Sequence, residues 1–225
     1  MHGRINEIFS SVQGEGIFLG EKQVFVRFAG CNLKCSYCDT AFENFREYEA
    51  QGLLSEIESY GKNFHSVSLT GGEPLLQKDF LKEVLLLLKR RGYRAYLETN
   101  GILPAALAEV IENVDIVAMD IKLPSSSENR TNSYWQEHRD FIQIAREKDL
   151  FIKAVISIST TEEDFVAMLD MLISVDYCGI LVLQPNSLDG PAKLNGKLAI
   201  LKNLTAKYHI PVCIIPQVHK AIGMK

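Results

Sequence analysis

Three thiols fall within eight residues, at Cys31, Cys35 and Cys38. Thiolate sulfur is the preferred protein ligand of iron–sulfur clusters, and closely spaced cysteines in a reducing compartment read as metal-binding or catalytic rather than as disulfides. Three is one short of the four protein ligands that a closed tetrahedral zinc site or a fully ligated four-iron cluster takes. On a four-iron cluster, three cysteines leave one iron free to bind another molecule, and that open iron is expected to be the reactive position. Cys178 and Cys213 cannot supply a second cluster by themselves, and both are expected to be buried strand cysteines.

Other residues stand out against the apolar runs that surround them. Arg27 alternates with Phe25 and Ala29, so it shares one face of a strand with them. A buried guanidinium needs an anion, either a ligand's carboxylate or one of the chain's own. In Thr70-Gly71-Gly72-Glu73-Pro74, Gly72 lets backbone approach a ligand closely, Glu73 can accept from a ligand ammonium, and Pro74 fixes the loop. Thr40 is either an oxygen ligand for a hard cation or a helix N-cap. Lys122 is either a ligand contact or the partner of Asp120. His219 is a hydrogen-bonded structural histidine or a catalytic one.

Stepping along the chain, short apolar strands alternate with amphipathic helices, the pattern of parallel βαβ units. Strands are expected at 23–29, 66–69, 93–97, 116–121, 151–158, 179–183 and 212–215, after a leading segment from Asn6 to Gly20. The clearest helix runs from Lys78 to Arg91, where Leu81, Val84, Leu85 and Leu88 share a face. Others are expected near 49–60, after Pro104, at 134–148, from Thr161 (with Asp164 completing a capping-box-like start) and along Leu194, Leu198, Leu201 and Leu204. An open doubly wound sheet shows a similar alternation. The unusual polar residues decide between them, because they cluster after strand ends, which in an α/β barrel all open onto one face. The expected fold is therefore an α/β, partial, incomplete six- to seven-stranded parallel βα barrel, with residues 1–225 forming one domain.

With 47% apolar and 23% charged residues, composition is that of an ordinary globular chain. A net charge of −4 suggests no nucleic-acid surface. Lys89-Arg90-Arg91, with Arg94, sits where a helix should end and complements its dipole. No apolar run approaches a membrane span, and Met1 to Glu7 lacks the core of a secretory signal, so a cytoplasmic location and no membrane partner are expected.

Cys31-x3-Cys35-x2-Cys38, with the aromatic Tyr37 before the last thiol, resembles the radical S-adenosylmethionine superfamily, and 70–74 is similar to its glycine-rich motif. Within that superfamily the chain resembles the 7-carboxy-7-deazaguanine synthase family through 7–16, 26–33, Cys38-Asp39-Thr40, Glu98-Thr99-Asn100-Gly101, Asp120-Ile121-Lys122 and Pro216-Gln217-Val218-His219-Lys220. The least constrained part is 125–148. The resemblance implies a 4Fe-4S cluster on Cys31, Cys35 and Cys38, whose unique iron chelates S-adenosylmethionine. It also implies magnesium on Thr40, a homodimer and an external one-electron donor of flavodoxin or ferredoxin type. The implied reaction is a lyase reaction of queuosine and 7-deazapurine biosynthesis. An electron from the cluster cleaves S-adenosylmethionine, and the 5′-deoxyadenosyl radical takes a hydrogen from C6 of 6-carboxy-5,6,7,8-tetrahydropterin. The ring then contracts to 7-carboxy-7-deazaguanine with loss of ammonia, and the hydrogen is returned.

Carried over residue by residue, the resemblance implies cofactor contacts from Tyr37, Cys38, Asp39 and Gly72. Ser125, Ser126, Gln184, Lys122 and Glu73 are further candidates for the cofactor's ribose, carboxylate and ammonium. Substrate contacts are implied at Val12, Gln13, Gly14 and Thr70. Arg27 suits the pterin carboxylate, and Glu15 beside Gln13 suits its guanidine-like edge. Two rival readings are a glycyl-radical activase, which has no need of Gln13-Gly14-Glu15, Arg27 or Thr40, and a non-enzymatic zinc or iron–sulfur protein with Asp39 as fourth ligand.

Overall fold

A computed structural model describes residues 1–38, 44–126 and 133–224. Asp39, Thr40 and part of the 125–148 stretch lie outside the described residues. Among the described residues the strands are β1 (His2–Val12), β2 (Lys22–Phe28), β3 (Arg46–Glu49), β4 (Ser66–Gly71), β5 (Ala95–Thr99), β6 (Ile116–Ile121), β7 (Asp149–Ile156), β8 (Leu181–Pro185) and β9 (Val212–Ile214). The helices are α1 (Ala50–Ser59), α2 (Lys78–Arg91), α3 (Pro104–Val110), α4 (Trp135–Ala145), α5 (Glu162–Ser174), α6 (Pro191–Lys207) and the single turn α7 (Val218–Ala221).

All strands form one sheet in the order β3-β1-β2-β4-β5-β6-β7-β8-β9. β3 turns back to the outer edge beside β1; from β2 through β4 to β9 each strand lies parallel to the next, with no reversal of order. A doubly wound sheet needs such a reversal. Right-handed crossovers in one unbroken direction put the helices on one face, and the result is an open parallel partial barrel.

The alternation within each strand divides the interior. On β6, Val117, Met119 and Ile121 belong to the large core shared with the helices, which includes Leu85, Leu88, Phe141 and Leu169. Ile116 and Ala118, of opposite parity, join Tyr96, Phe151 and Val182 in a second apolar cluster. Ile17 and Phe18 pack onto that cluster from the loop between β1 and β2, Phe18 meeting Tyr96 edge-on at 5.7 Å. The inner face thus has an apolar floor across β5 to β8, with Glu98, Asp120 and Gln184 nearer the strands' carboxyl ends, while Gln23 and Ser66 pair at the amino ends of β2 and β4 at 2.9 Å.

The leading segment is not irregular. β1 pairs antiparallel with β2 and β3, extending the parallel array at its first strand. The strands expected at 93–97 and 179–183 each begin and end two residues later than expected, which brings Glu98 and Gln184 into strand positions. For β5 the cause is local: α2 ends on Gly92 in the left-handed conformation (φ 74°), and the chain needs two more residues to enter the sheet. α5 starts as expected, Thr161 Oγ1 accepting from the Asp164 amide at 3.2 Å. Cys213 lies on β9, half-buried, but Cys178 is exposed in the loop before β8, so the expectation of a buried strand cysteine fails there. Among the described residues no helix is long and apolar enough to cross a membrane.

Candidate active site

Inner-face positions at the strand ends supply one polar side chain each: Arg27 on β2, Thr70 on β4, Glu98 on β5, Asp120 on β6, Lys153 on β7 and Gln184 on β8. They edge two adjoining cavities of about 420 and 190 Å³. Glu15, Arg27, Thr70, Glu98 and Gln217 line both.

The larger cavity holds the 12–15 turn. Gln13 is buried and donates through Nε2 to Glu98 Oε1 at 2.9 Å and Gln23 Oε1 at 3.1 Å, while Thr70 donates to Glu98 Oε2 at 2.8 Å. Glu15 takes Gln217 Nε2 at 2.7 Å on one oxygen and the Lys153 ammonium on the other. Burial pushes the Glu15 carboxyl up, but the charge of Lys153 and these hydrogen bonds outweigh it and hold the group at about 2. Arg27 donates from Nε to Glu7 Oε1 at 2.7 Å and lies 5.9 Å from the centre of the Phe9 ring, which stacks on Phe25. So one of the chain's own carboxylates holds Arg27 side-on, and the guanidinium still borders the cavity with Val12, Gly14 and His219.

The smaller cavity is edged by Cys31, Cys35, Tyr37, Cys38 and Gly72. All three thiols are free of disulfides. Among the described residues no three His, Cys, Asp or Glu side chains gather as they would around a single metal ion. Lys122 pairs with Asp120 Oδ2 at 2.9 Å and sits 5.3 Å from the centre of the Tyr37 ring. Asp120 Oδ1 and Gln184 Oε1 are buried acceptors without a hydrogen-bond partner. The donor set fits the implied groups: three thiols for a cluster, and two waiting acceptors for the hydroxyls and ammonium of S-adenosylmethionine.

Other expected contacts stand back from the cavities. Glu73 is fully buried; its Oε1 accepts from the Leu75 amide (3.1 Å) and the Thr99 hydroxyl (2.9 Å), and its Oε2 from the Asn100 amide (2.8 Å). Burial raises its carboxyl to about 7 against those hydrogen bonds. It knots the glycine-rich loop to the end of β5, and Asn100 carries the knot on by donating to Asn32 Oδ1 in the cysteine loop at 2.9 Å. Ser125 is tied to the start of α5, its amide donating to Asp164 Oδ2 at 2.7 Å, and Ser126 follows in the same turn. Sequence reasoning missed Lys153 and Glu7. The signal that singled out Arg27, a charge sharing a strand face with apolar residues (Phe25 and Ala29), was present at Lys153 as well, between Phe151 and Val155.

The chain belongs to the radical S-adenosylmethionine superfamily, whose model matches residues 25–172. Its close relatives are narrower in kind. A 7-carboxy-7-deazaguanine synthase from Geobacter sulfurreducens is 37% identical, covering 97% of this chain and 96% of that protein. Another from Methanothermobacter thermautotrophicus is 36% identical, over 100% and 99%. Within the superfamily the chain is therefore a member of the 7-carboxy-7-deazaguanine synthase family. QueE from Escherichia coli shares the fold, with a TM-score of 0.65 at 23% identity over 95% of this chain and 93% of that one. Streptococcus suis SuiB matches with a TM-score of 0.58 at 17% identity, over 84% and 47%.

Proposed function

We propose that this protein converts 6-carboxy-5,6,7,8-tetrahydropterin to 7-carboxy-7-deazaguanine with loss of ammonia, working as one domain and as a homodimer. The observation that carries the reading is the larger cavity's wall, with Gln13, Glu15 and Glu98 at one end and Arg27 nearby, opening onto the thiol-lined cavity. A pterin presents a donor-rich guanidine-like edge and, in this substrate, a carboxylate. Glu15 and Glu98 are acceptor-only groups that match the first. Arg27, its Nε held by Glu7, can offer its terminal nitrogens to the second as a bidentate fork.

Cys31, Cys35 and Cys38 would hold a 4Fe-4S cluster, which would supply the electron that cleaves S-adenosylmethionine. Because the hydrogen is returned and loss of ammonia is redox-neutral, that electron would come back to the cluster, and an external donor would be needed to reduce the cluster at the start. Asp120 and Gln184 can offer that cofactor their unpartnered oxygens, and Tyr37, Cys38, Gly72 and Lys122 line the same cavity; Asp39, Ser125 and Ser126 are proposed as contacts on the family resemblance alone. The shared wall of the two cavities holds the substrate's reacting carbon toward the cofactor, and the apolar floor of Tyr96, Phe151 and Phe18 limits water beneath it. Thr40 is proposed as the protein ligand of a magnesium ion beside the substrate carboxylate.

The test is anaerobic reconstitution with iron and sulfide, followed by reductant, S-adenosylmethionine, magnesium and the pterin. Formation of 7-carboxy-7-deazaguanine is expected, and Arg27→Ala should raise KM by about 100-fold through loss of the carboxylate's partner. Cleavage of S-adenosylmethionine with no deazaguanine product would overturn the substrate assignment, and stoichiometric zinc without sulfide would overturn the cluster.

A further inference from the structure

One buried cation belongs to neither expected ligand set. Lys153, on the inner face of β7, has a side chain only 11% exposed, and its ammonium lies between two carboxylates from different parts of the chain. It hydrogen-bonds Glu15 Oε2 in the 12–15 turn and approaches Asp120 Oδ2 on β6 at 3.7 Å. Asp120 Oδ2 is also held by Lys122 at 2.9 Å, so two carboxylates and two ammoniums form a continuous buried row. A buried lysine is costly unless its charge is matched, and a row of this length at the mouth of a cavity is more than the sheet needs for packing.

We propose that Lys153 is a positioning residue for substrate recognition: it anchors Glu15 as a charged, acceptor-only group facing the pterin's donor-bearing edge, with Asp120 securing the anchor from behind. The inference rests on the pterin reading above. Glu15 is carried by a loop rather than a strand. Its backbone is held by the bond from its amide to Gln13 Oε1 at 3.1 Å, but its carboxylate direction depends on Lys153 and Gln217. Gln217 alone is a neutral donor. Without the ammonium, the Glu15 carboxyl would face Asp120 of β6 and Glu98 of β5 across an apolar floor, with Arg27 of β2, His219 of the C-terminal turn and Lys122, which is already paired with Asp120, as the remaining basic groups. Burial would then favour its protonated form, which carries a donor of its own and presents the wrong complement to a donor-bearing ring edge. The role is thus to fix both where Glu15 points and which hydrogen-bonding character it has.

The experiment is calorimetric binding of 6-carboxypterin, the unreactive oxidised analogue, to cluster-reconstituted protein kept without reductant. Wild type is expected to bind it with little change between pH 5.5 and 8. Lys153→Met should bind about 100-fold more weakly at pH 8. Its affinity should also carry a titration that wild type lacks, that of the Glu15 carboxyl. Lys153→Arg should recover most of the loss, and S-adenosylmethionine affinity, measured on the same samples, should fall far less than pterin affinity. Equal pterin binding by Lys153→Met and wild type would overturn the inference, as would an equal fall in both ligands' affinities. Failure of wild type to bind the pterin at all would instead remove the substrate reading on which the inference stands.

Discussion

His138 shows how far the site's support reaches behind its walls. It lies on α4 with no exposed surface, its Nε2 is 3.3 Å from the Asn100 carbonyl, and its Nδ1 has no partner. A carbonyl only accepts, so Nε2 carries the proton, and burial lowers the ring's pKa from 6.5 to about 4. Because the folded value is depressed, this stability is present above pH 6.5 and is lost as pH falls toward 4. Glu73, on the other side of Asn100, has the opposite linkage: raised from 4.5 to about 7, its contribution is full below pH 4.5 and is lost as pH rises through 7. The two slopes offset between pH 4.5 and 6.5. His138→Gln keeps a donor for Asn100 but removes one slope. The stability gap between wild type and this variant should therefore widen by about 3 kcal/mol from pH 4 to 6.5. Urea midpoints across that range would show it, and a constant gap would mean that the folded histidine titrates normally.

At the scale of elements, the glycine-rich stretch that begins on the last residue of β4 is a steric joint. Gly71 has φ 116°, and a Cβ there would lie 2.4 Å from the backbone N and O of Phe28 on the neighbouring strand. Neither can move without breaking the β2–β4 register, so Gly71→Ala should cost about 3 kcal/mol and lower the melting temperature even of protein without its cluster. A variant that melts like wild type would place the rigidity elsewhere. Much of this organisation was legible in the sequence. Cysteine spacing, the motifs at strand ends and the periodicity of Leu81, Val84, Leu85 and Leu88 all act locally, so they can be read from neighbouring residues. What was not legible depends on partners far along the chain. β1 mixes polar and apolar residues because it is an addition to the sheet, half-buried over most of its length, and its course is set by register with β2 and β3. Arg46 to Glu49 is mostly charged and becomes a strand only because β1 supplies its ladder. The Glu15–Lys153 pair joins residues 138 positions apart. His138 shares a helix face with the buried Phe141, Ile142 and Ala145, and its tie to Asn100, 38 positions away, leaves no local mark in the sequence.

Over the whole molecule, the larger cavity is closed by the two ends of the chain. The Val218 amide donates to the Gly14 carbonyl at 3.0 Å, Gln217 reaches Glu15, and His219 packs so tightly on Gly14 that a Cβ there would lie 2.3 Å from its Nδ1. Removing residues 216–225 should weaken pterin binding by roughly tenfold or more, the loss of a hydrogen bond to a buried charge, while iron and sulfide content stay as in wild type. A truncated chain that binds the pterin normally would show that the closure takes no part in recognition. The same closure imposes an order on folding. The Gln217–Glu15 bond spans 202 positions, and contacts of such separation form late because the chain must first lose the entropy of the loop between them. A protein emerging from the ribosome exposes its cysteine loop and the early strands that brace it well before its last residues are made. The thiols therefore become available for metal while the pterin end is still unfinished, so the site is built from the reactive centre outward.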